Sequence, residues 1–397
     1  MPGRNKTILV ITNIPTPYRI PLFNELDRLL DENGKKLKLV FAALGYSRRK
    51  WRIDMGECRF DYEVLRSRAF RVKGSEGMLF TYPGIFSLLR RDRPVLTFVA
   101  GYSPAAVKLW MRNLFVRTPY VIWSEAVENP ARPDPGWRVI LRRLLVHSAV
   151  GCVAYGSRSK SYLEALGASA DKISIAINTV DTEFYRTESV KCRTHRPKQD
   201  PKVLIFLGNL ARGKRLDLVF RALKLLSKER VDFVLWLVGE GPERQNLEEL
   251  AKKLGISEIV HFKGFKQKPE IPRLLGEADC FLFPSEYDVW GLAVVEAMAA
   301  GLPCMSSVRA GATDDLIDDG VTGFMVDFED SQAVAEKIGW VLDNPEKARA
   351  MGDAASNFIT ERASLRPSAE GFLQAIEKAR SFLRNGAGPK KRSQSRS

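Results

Sequence analysis

Residues Phe283–Gly301 read FPSEYDVWGLAVVEAMAAG. The apolar run CFLFPS, from Cys280, leads into this stretch, and the helix-like run LAVVEAMAAG, from Leu292, closes it. Strand followed by helix is the repeating unit of a parallel sheet. Of the three carboxylates in the stretch, Asp288 ahead of the helix and Glu296 inside it, eight positions apart, flank the helix start. A core helix excludes carboxylates unless something satisfies them. Flanking a helix start, both acids are placed to face a polyol ligand, and the helix amides are placed to face its phosphates.

The same alternation extends in both directions. TILVITNIP, KLKLVFAAL, PVLTFVAG, PYVIWSE and GCVAYGS read as strands of a first unit, with LFNELDRLL, GWRVILRRLLVHSA and SKSYLEALG as helices between or after them. After the polar, proline-bearing stretch VKCRTHRPKQDPK the pattern restarts with VLIFLGNL, DFVLWLVGEGP, IVHFKGF, CFLFPS, PCMSS and GFMV. The expected fold is α/β: two doubly wound, Rossmann-like parallel-sheet domains facing a cleft. The 397 residues are also too many for one ordinary core. The expected boundaries are 1–190 for an N-terminal acceptor-binding domain, 191–202 for a linker and 203–365 for a C-terminal domain. A C-terminal helix over 366–384 returns toward the first domain, and a basic, disordered tail occupies 385–397.

Composition narrows the function. No apolar run is long enough to span a membrane, and the N-terminus reads as a first strand rather than a secretory signal, so a cytoplasmic protein is expected. The five cysteines are scattered, as are His147, His195 and His261, and no metal-ligand spacing is present; no metal or cofactor is expected. Residues 1–200 hold 34 Lys and Arg against 19 Asp and Glu, whereas residues 201–397 hold 28 of each. The net charge of +15 therefore lies in the first half and points to an anionic partner there. Basic and bulky apolar residues interleave in AVKLWMRNLFVR and WRVILRRLLVH, which suits the inner, anionic face of a membrane. No aromatic–basic nucleic-acid motif accompanies them, and no nucleic acid partner is expected.

In the second half, polar residues gather at the strand ends: Asn209, Arg212 and Lys214 after VLIFLG, Glu240 and Gly241 after LWLV, Gly264 and Phe265 after VHFK. Lys214 and Arg212 suit a pyrophosphate, and Glu296 suits ribose hydroxyls. With these residues, PSEYDVWGLAVVEAMAAGLPCMSS and GATDDLIDDGVTGFMV resemble the nucleotide-sugar-binding segment of the family 4, or group 1, retaining glycosyltransferases of the GT-B fold. FLGNLARGKRLDLVFRAL, LVGEGPERQNLEELAKKLG and VHFKGF resemble the same family, and ITNIPTPYRIPLFNEL resembles the opening of its polysaccharide-assembly members.

That resemblance implies roles position by position. Glu296 matches the acid that binds the donor ribose. Asp288 takes the place of the glutamate that contacts the transferred sugar, one methylene shorter. Lys214 matches the phosphate-binding lysine, while Asn209 stands where the family carries an arginine and Arg212 lies close by. Gly264 and Phe265 match the loop that reads the base, and Gly291 and Leu292 the loop against sugar and pyrophosphate. Glu125, in VIWSEAVEN, stands near the place of a strand-end histidine in many relatives, to hold the acceptor hydroxyl or take its proton. The implied activity is transfer of a sugar from a UDP- or GDP-sugar to a glycan or lipid-linked acceptor. A sugar-nucleotide epimerase or phosphorylase, or a non-catalytic polyanion-binding module, are the alternative readings.

Overall fold

The apolar runs become strands because a parallel strand is covered on both faces and tolerates no polar side. The computed structural model describes residues 6–46, 50–71, 78–129, 133–193 and 201–385. The first half contains β1 (Thr7–Thr12), α1 (Arg19–Glu32), β2 (Lys36–Phe41), β3 (Asp61–Val64), β4 (Ala69–Arg71), β5 (Met78–Phe80), α2 (Ile85–Asp92), β6 (Leu96–Ala100) and α3 (Pro104–Asn113). It continues with β7 (Tyr120–Ser124), α4 (Gly136–Ser148), β8 (Gly151–Ala154), α5 (Ser157–Ala165), β9 (Ile173–Ile175) and α6 (Thr182–Arg193). Seven strands form one sheet in the order β3-β2-β1-β6-β7-β8-β9. Every pairing in it is parallel, with Val10 beside Leu39 on one side and Phe98 on the other. β4 and β5 form a separate antiparallel hairpin.

The second half contains β10 (Lys202–Leu207), α7 (Leu216–Leu226), β11 (Phe233–Val238), α8 (Arg244–Leu254), β12 (Val260–Gly264), α9 (Ile271–Gly276), β13 (Cys280–Phe283) and α10 (Leu292–Ala299). Then come β14 (Cys304–Ser307), α11 (Thr313–Leu316), β15 (Gly323–Val326), α12 (Ser331–Asp343), α13 (Pro345–Arg362) and α14 (Leu365–Asn385). Its sheet is also parallel, ordered β12-β11-β10-β13-β14-β15. α7 shows how sequence becomes packing: Leu216, Val219, Phe220, Leu223 and Leu226, at helical spacing, are all buried. α12 starts where the Asp330 side chain accepts from the amides of Gln332 and Ala333, at 3.1 and 3.0 Å.

In each sheet the strand order reverses at one place, between β1 and β6 and between β10 and β13. Ligands of open parallel sheets sit at such reversals, outside the carboxyl ends of the strands.

Two segments pack away from their neighbours in sequence. α6 lies against α9, α10 and α13, and Ser189 Oγ donates to the Pro272 carbonyl at 2.9 Å. Residues 182–190, grouped by sequence with the first domain, thus pack with the second. α14 lies against α1, β8 and β9 of the first half. Phe372 on α14 meets the rings of Phe98 and Trp123 at 5.5 and 5.2 Å, which makes one apolar cluster continuous across both halves. The rest of the expected linker (194–200) and the tail beyond Asn385 lie outside the described residues.

Candidate functional site

The end of β10 and the end of β13, the two sides of the strand-order reversal, supply the central residues. After β10 the chain makes a tight helical turn at Arg212–Lys214. Lys214 Nζ pairs with the Asp288 carboxylate and lies 5.0 Å from the centre of the Phe283 ring. Both partners of this ion pair are mostly covered, so neither charge is well solvated. Asp288 also accepts from the Trp290 amide at 3.2 Å, which fixes the approach to α10. Gly291 caps α10 with φ 105°, and a Cβ there would stand 2.8 Å from the Phe283 ring. Only glycine meets both demands. As the first residues of α10, Leu292 and Ala293 carry amides that no turn of the helix itself takes up.

Glu296 lies one turn into α10. The Tyr185 hydroxyl, from α6, donates to its Oε1 at 2.8 Å. Burial raises the Glu296 carboxyl to about 7, against the opposing pull of Tyr185 and Lys268. A carboxyl held there has protonation balanced near neutrality and one oxygen already committed.

The other strand ends form the rim. Arg244 Nη1 donates to Glu240 at 2.8 Å. The Leu210 amide donates to the Glu240 carbonyl at 3.0 Å, and the Gly239 amide to the Gly264 carbonyl at 2.9 Å. Gly241 packs against the Leu210 backbone, so a side chain there would collide. Phe265 is partly exposed beside Gly264, and Asn209 and Arg212 are exposed on the β10 loop. Lys214, Asp288, Gly291 and Leu292 thus form one group, Glu296 stands a turn deeper, and Glu240, Gly241 and Gly264 tie the neighbouring loops together.

Across the cleft, Glu125 ends β7 and is exposed. Sequence reasoning missed its neighbour Arg19, in the first turn of α1. Arg19 is buried, lies 4.7 Å from the Trp123 ring centre, pairs with the Tyr155 hydroxyl and has Glu125 Oε2 at 3.9 Å. Burial opposes the Arg19 charge, but Tyr155, Tyr18 and Glu125 outweigh it and hold its pKa above the ordinary value. Arg19 Nε, Trp123 Nε1, Trp290 Nε1 and Ser285 Oγ are buried without a hydrogen-bond partner. An unpaired buried donor costs desolvation free energy that a partner would offset.

The halves are also latched. Asp315 accepts from the Ser157 amide at 2.9 Å and the Ser157 hydroxyl at 3.0 Å. Arg158 holds Asp314 at 2.6 Å and the Val308 carbonyl at 2.7 Å. On the other side, the Gln267 side chain bridges the Arg52 amide and the Lys50 carbonyl at 3.2 and 3.0 Å. Tyr287 Oη donates to the Val127 carbonyl at 3.4 Å, close to Glu125. A Cβ at Gly156 would run into Trp290 and Asp315, so the latch needs that glycine. Among the described residues no group of three or more His, Cys, Asp or Glu is placed to hold a metal ion.

Two Rossmann-like domains with their strand ends facing one cleft define the GT-B architecture. Anabaena Alr3699/HepE, solved in complex with UDP, shares it with a TM-score of 0.72 at 18% identity, over 94% of this chain and 99% of that one. Residues 191–358 match the family described as glycosyl transferases group 1. The chain is 34% identical over 379 residues to the GDP-mannose-dependent alpha-(1-6)-phosphatidylinositol monomannoside mannosyltransferase of Mycolicibacterium smegmatis, covering 89% of this chain and 94% of that relative. It is 32% identical over 192 residues to the N-acetyl-alpha-D-glucosaminyl L-malate synthase of Bacillus anthracis, an alignment that spans 49% of that protein. The chain belongs to the group 1 glycosyltransferases and is an enzyme of that class.

Proposed function

We propose that this enzyme moves a sugar from a nucleoside diphosphate sugar to an acceptor hydroxyl, with the anomeric configuration retained. The observation that carries the reading is the grouping of Lys214, Asp288 and the amide end of α10 at the strand-order reversal, with Glu296 a turn further along. In this reading Glu296 accepts from the ribose hydroxyls, and Lys214, Arg212 and the α10 amides face the diphosphate. Donor entry then breaks the Lys214–Asp288 pair: Lys214 turns to phosphate and Asp288 to a sugar hydroxyl. The bond between the anomeric carbon and the phosphate oxygen breaks, and the acceptor oxygen bonds to that carbon on the same face. The acceptor proton passes to the leaving phosphate, while Glu125 holds the acceptor hydroxyl. Charge that develops on the leaving diphosphate meets fixed donors in a closed site, where they count most.

The mycobacterial relative is named as GDP-mannose-dependent, and the Anabaena structure holds UDP, so GDP- and UDP-sugars are the donors to try first. Thermal shifts with UDP, GDP, ADP and their sugar conjugates test the site, since a ligand that binds the folded state raises Tm. One nucleotide is expected to shift the wild type and to lose most of its effect in Glu296→Ala. No shift with any of them, or an undiminished shift in the variant, overturns the assignment.

A further inference from the structure

The exposed large apolar side chains are unevenly spread. In the second half as far as α13, those among the described residues are Val231, Val308 and Val321. In the first half seven of the fifteen lie together on or just past two neighbouring helices, and the other eight are spread singly between Leu44 and Val190. Leu114 and Phe115, just past α3, are 61% and 87% exposed, with Met111 and Val116 exposed beside them. On α4, Trp137 and Ile140 are 64% and 60% exposed, and Leu144 continues the same stripe at helical spacing. α4 already buries Leu145 and Val146 on its inner side, so the outer stripe is a second apolar face. α3 and α4 follow adjacent strands, and Asn113 Nδ2 donates to Ser148 Oγ at 3.3 Å, which brings the end of the stripe to the Leu114–Val116 turn. An apolar surface of this extent marks an interaction site.

Its charge selects the partner. Residues 104–117 and 136–148 contain Lys108, Arg112, Arg117, Arg138, Arg142 and Arg143 and no Asp or Glu. Asp134 takes up Arg138 and Arg142, and Lys108 is occupied by the carbonyls of Thr81 and Tyr82. Arg117, which donates to the Leu383 carbonyl at 3.4 Å, and Arg143 are exposed at the rim without a carboxylate partner among the described residues. A second copy of this chain set symmetrically on the patch would bring arginine against arginine. An anionic bilayer supplies both an apolar phase for Trp137, Ile140 and Phe115 and negative charge for the rim.

We propose that the α3–α4 face seats on an anionic lipid bilayer, so that the acceptor arrives lipid-linked in the plane of the membrane. The second clause rests on the reading of Glu125 as the acceptor side. α4 begins at the same sheet edge where β7 delivers Glu125, so a bilayer under α4 lies beside that wall of the cleft.

The test is flotation of the full chain with phosphatidylcholine vesicles, with and without phosphatidylglycerol. Binding is expected only with phosphatidylglycerol and is expected to weaken with salt. Leu114→Ser/Phe115→Ser and Arg117→Gln/Arg143→Gln are each expected to weaken it about tenfold or more. Trp137 gives a reading that needs no folding control: vesicles should blue-shift the wild-type emission, and Trp137→Phe should lose that change. Absence of flotation, flotation indifferent to both double variants, or a dimer in sedimentation that Leu114→Ser/Phe115→Ser dissolves overturns the proposal. Nucleotide thermal shifts keep the two readings apart. A chain that floats but answers no nucleotide overturns the donor site and leaves the membrane face standing.

Discussion

Glu296 converts its surroundings into a pH dependence. Its carboxyl titrates at about 7 in the folded chain, above the ordinary range of about 4.3 for an unfolded glutamate. Between those values the folded state holds a proton that the unfolded state has released, so this group's contribution to stability falls as pH rises through that window. On the proposed assignment of Glu296 to the ribose, donor binding runs the other way, because an ionised carboxylate accepts from hydroxyls better than a protonated one. The nucleotide-induced Tm rise is therefore expected to grow from pH 6 to pH 8 more steeply in the wild type than in Glu296→Gln. The same comparison cancels titration of the nucleotide, and equal slopes would reject the role. Lys214→Ala tests the other half of the site. Removing one donor to a developing charge costs roughly 10²–10³ in turnover. Tm should fall too, because Asp288 loses its partner. Lys214→Ala/Asp288→Asn is expected to recover the Tm and not the turnover, and recovery of both would reduce Lys214 to a structural role. These residues were legible because charge inside apolar text is conspicuous. Arg19, Tyr155, Tyr185, Trp290 and Asp315 were not. Each acts on a partner 111 to 158 positions away, and that proximity exists only in the fold.

At the scale of elements, the latch is a helix end. Asp315 takes the first amide of α5 together with the Ser157 hydroxyl, and burial raises its carboxyl while those donors lower it. Asp315→Ala removes the acceptor and leaves Arg158 on Asp314 and the Val308 carbonyl, with Trp290 against Gly156, as the contacts on this side. A larger radius of gyration is expected for the ligand-free variant in small-angle X-ray scattering, with reduced turnover at saturating donor. An unchanged scattering curve would mean that closure does not depend on this contact. Apolar runs announced five of the seven strands of the first sheet and all six of the second; β3, with Asp61 and Glu63 among its four residues, and the three-residue β9 were not announced. β4 and β5 did not announce themselves, because three residues each carry no readable period. α6 did not either: its buried positions are Thr182, Tyr185 and Ser189, a stripe too polar to stand out from a linker.

Across the whole molecule, the two halves share their construction. The chain passes from the first to the second before α6 and returns between α13 and α14. The return is fixed at several points: Ser368 Oγ donates to the Ile177 carbonyl at 2.6 Å, Lys378 Nζ to the Ile173 carbonyl at 2.5 Å, and Gly371 lets the helix backbone touch the chain at Ile175. Phe372 then fills a gap between Phe98 and Trp123 that no residue of the first half fills. The first domain's core is thus completed by the last helix, and the two domains should unfold in a single calorimetric transition. Phe372→Ala leaves a cavity and is expected to cost about 3–5 kcal/mol. With an unfolding entropy of about 2.1 cal/mol/K per residue over one cooperative unit of this length, Tm should drop by roughly 4–6 °C. If the halves are coupled through α14, the whole transition moves down together, and a nucleotide bound in the second half raises it again. If the trace instead splits, with a nucleotide-responsive peak left at the wild-type temperature, the second half folds independently of the helix. α14 would then be a tether rather than part of the first domain's core.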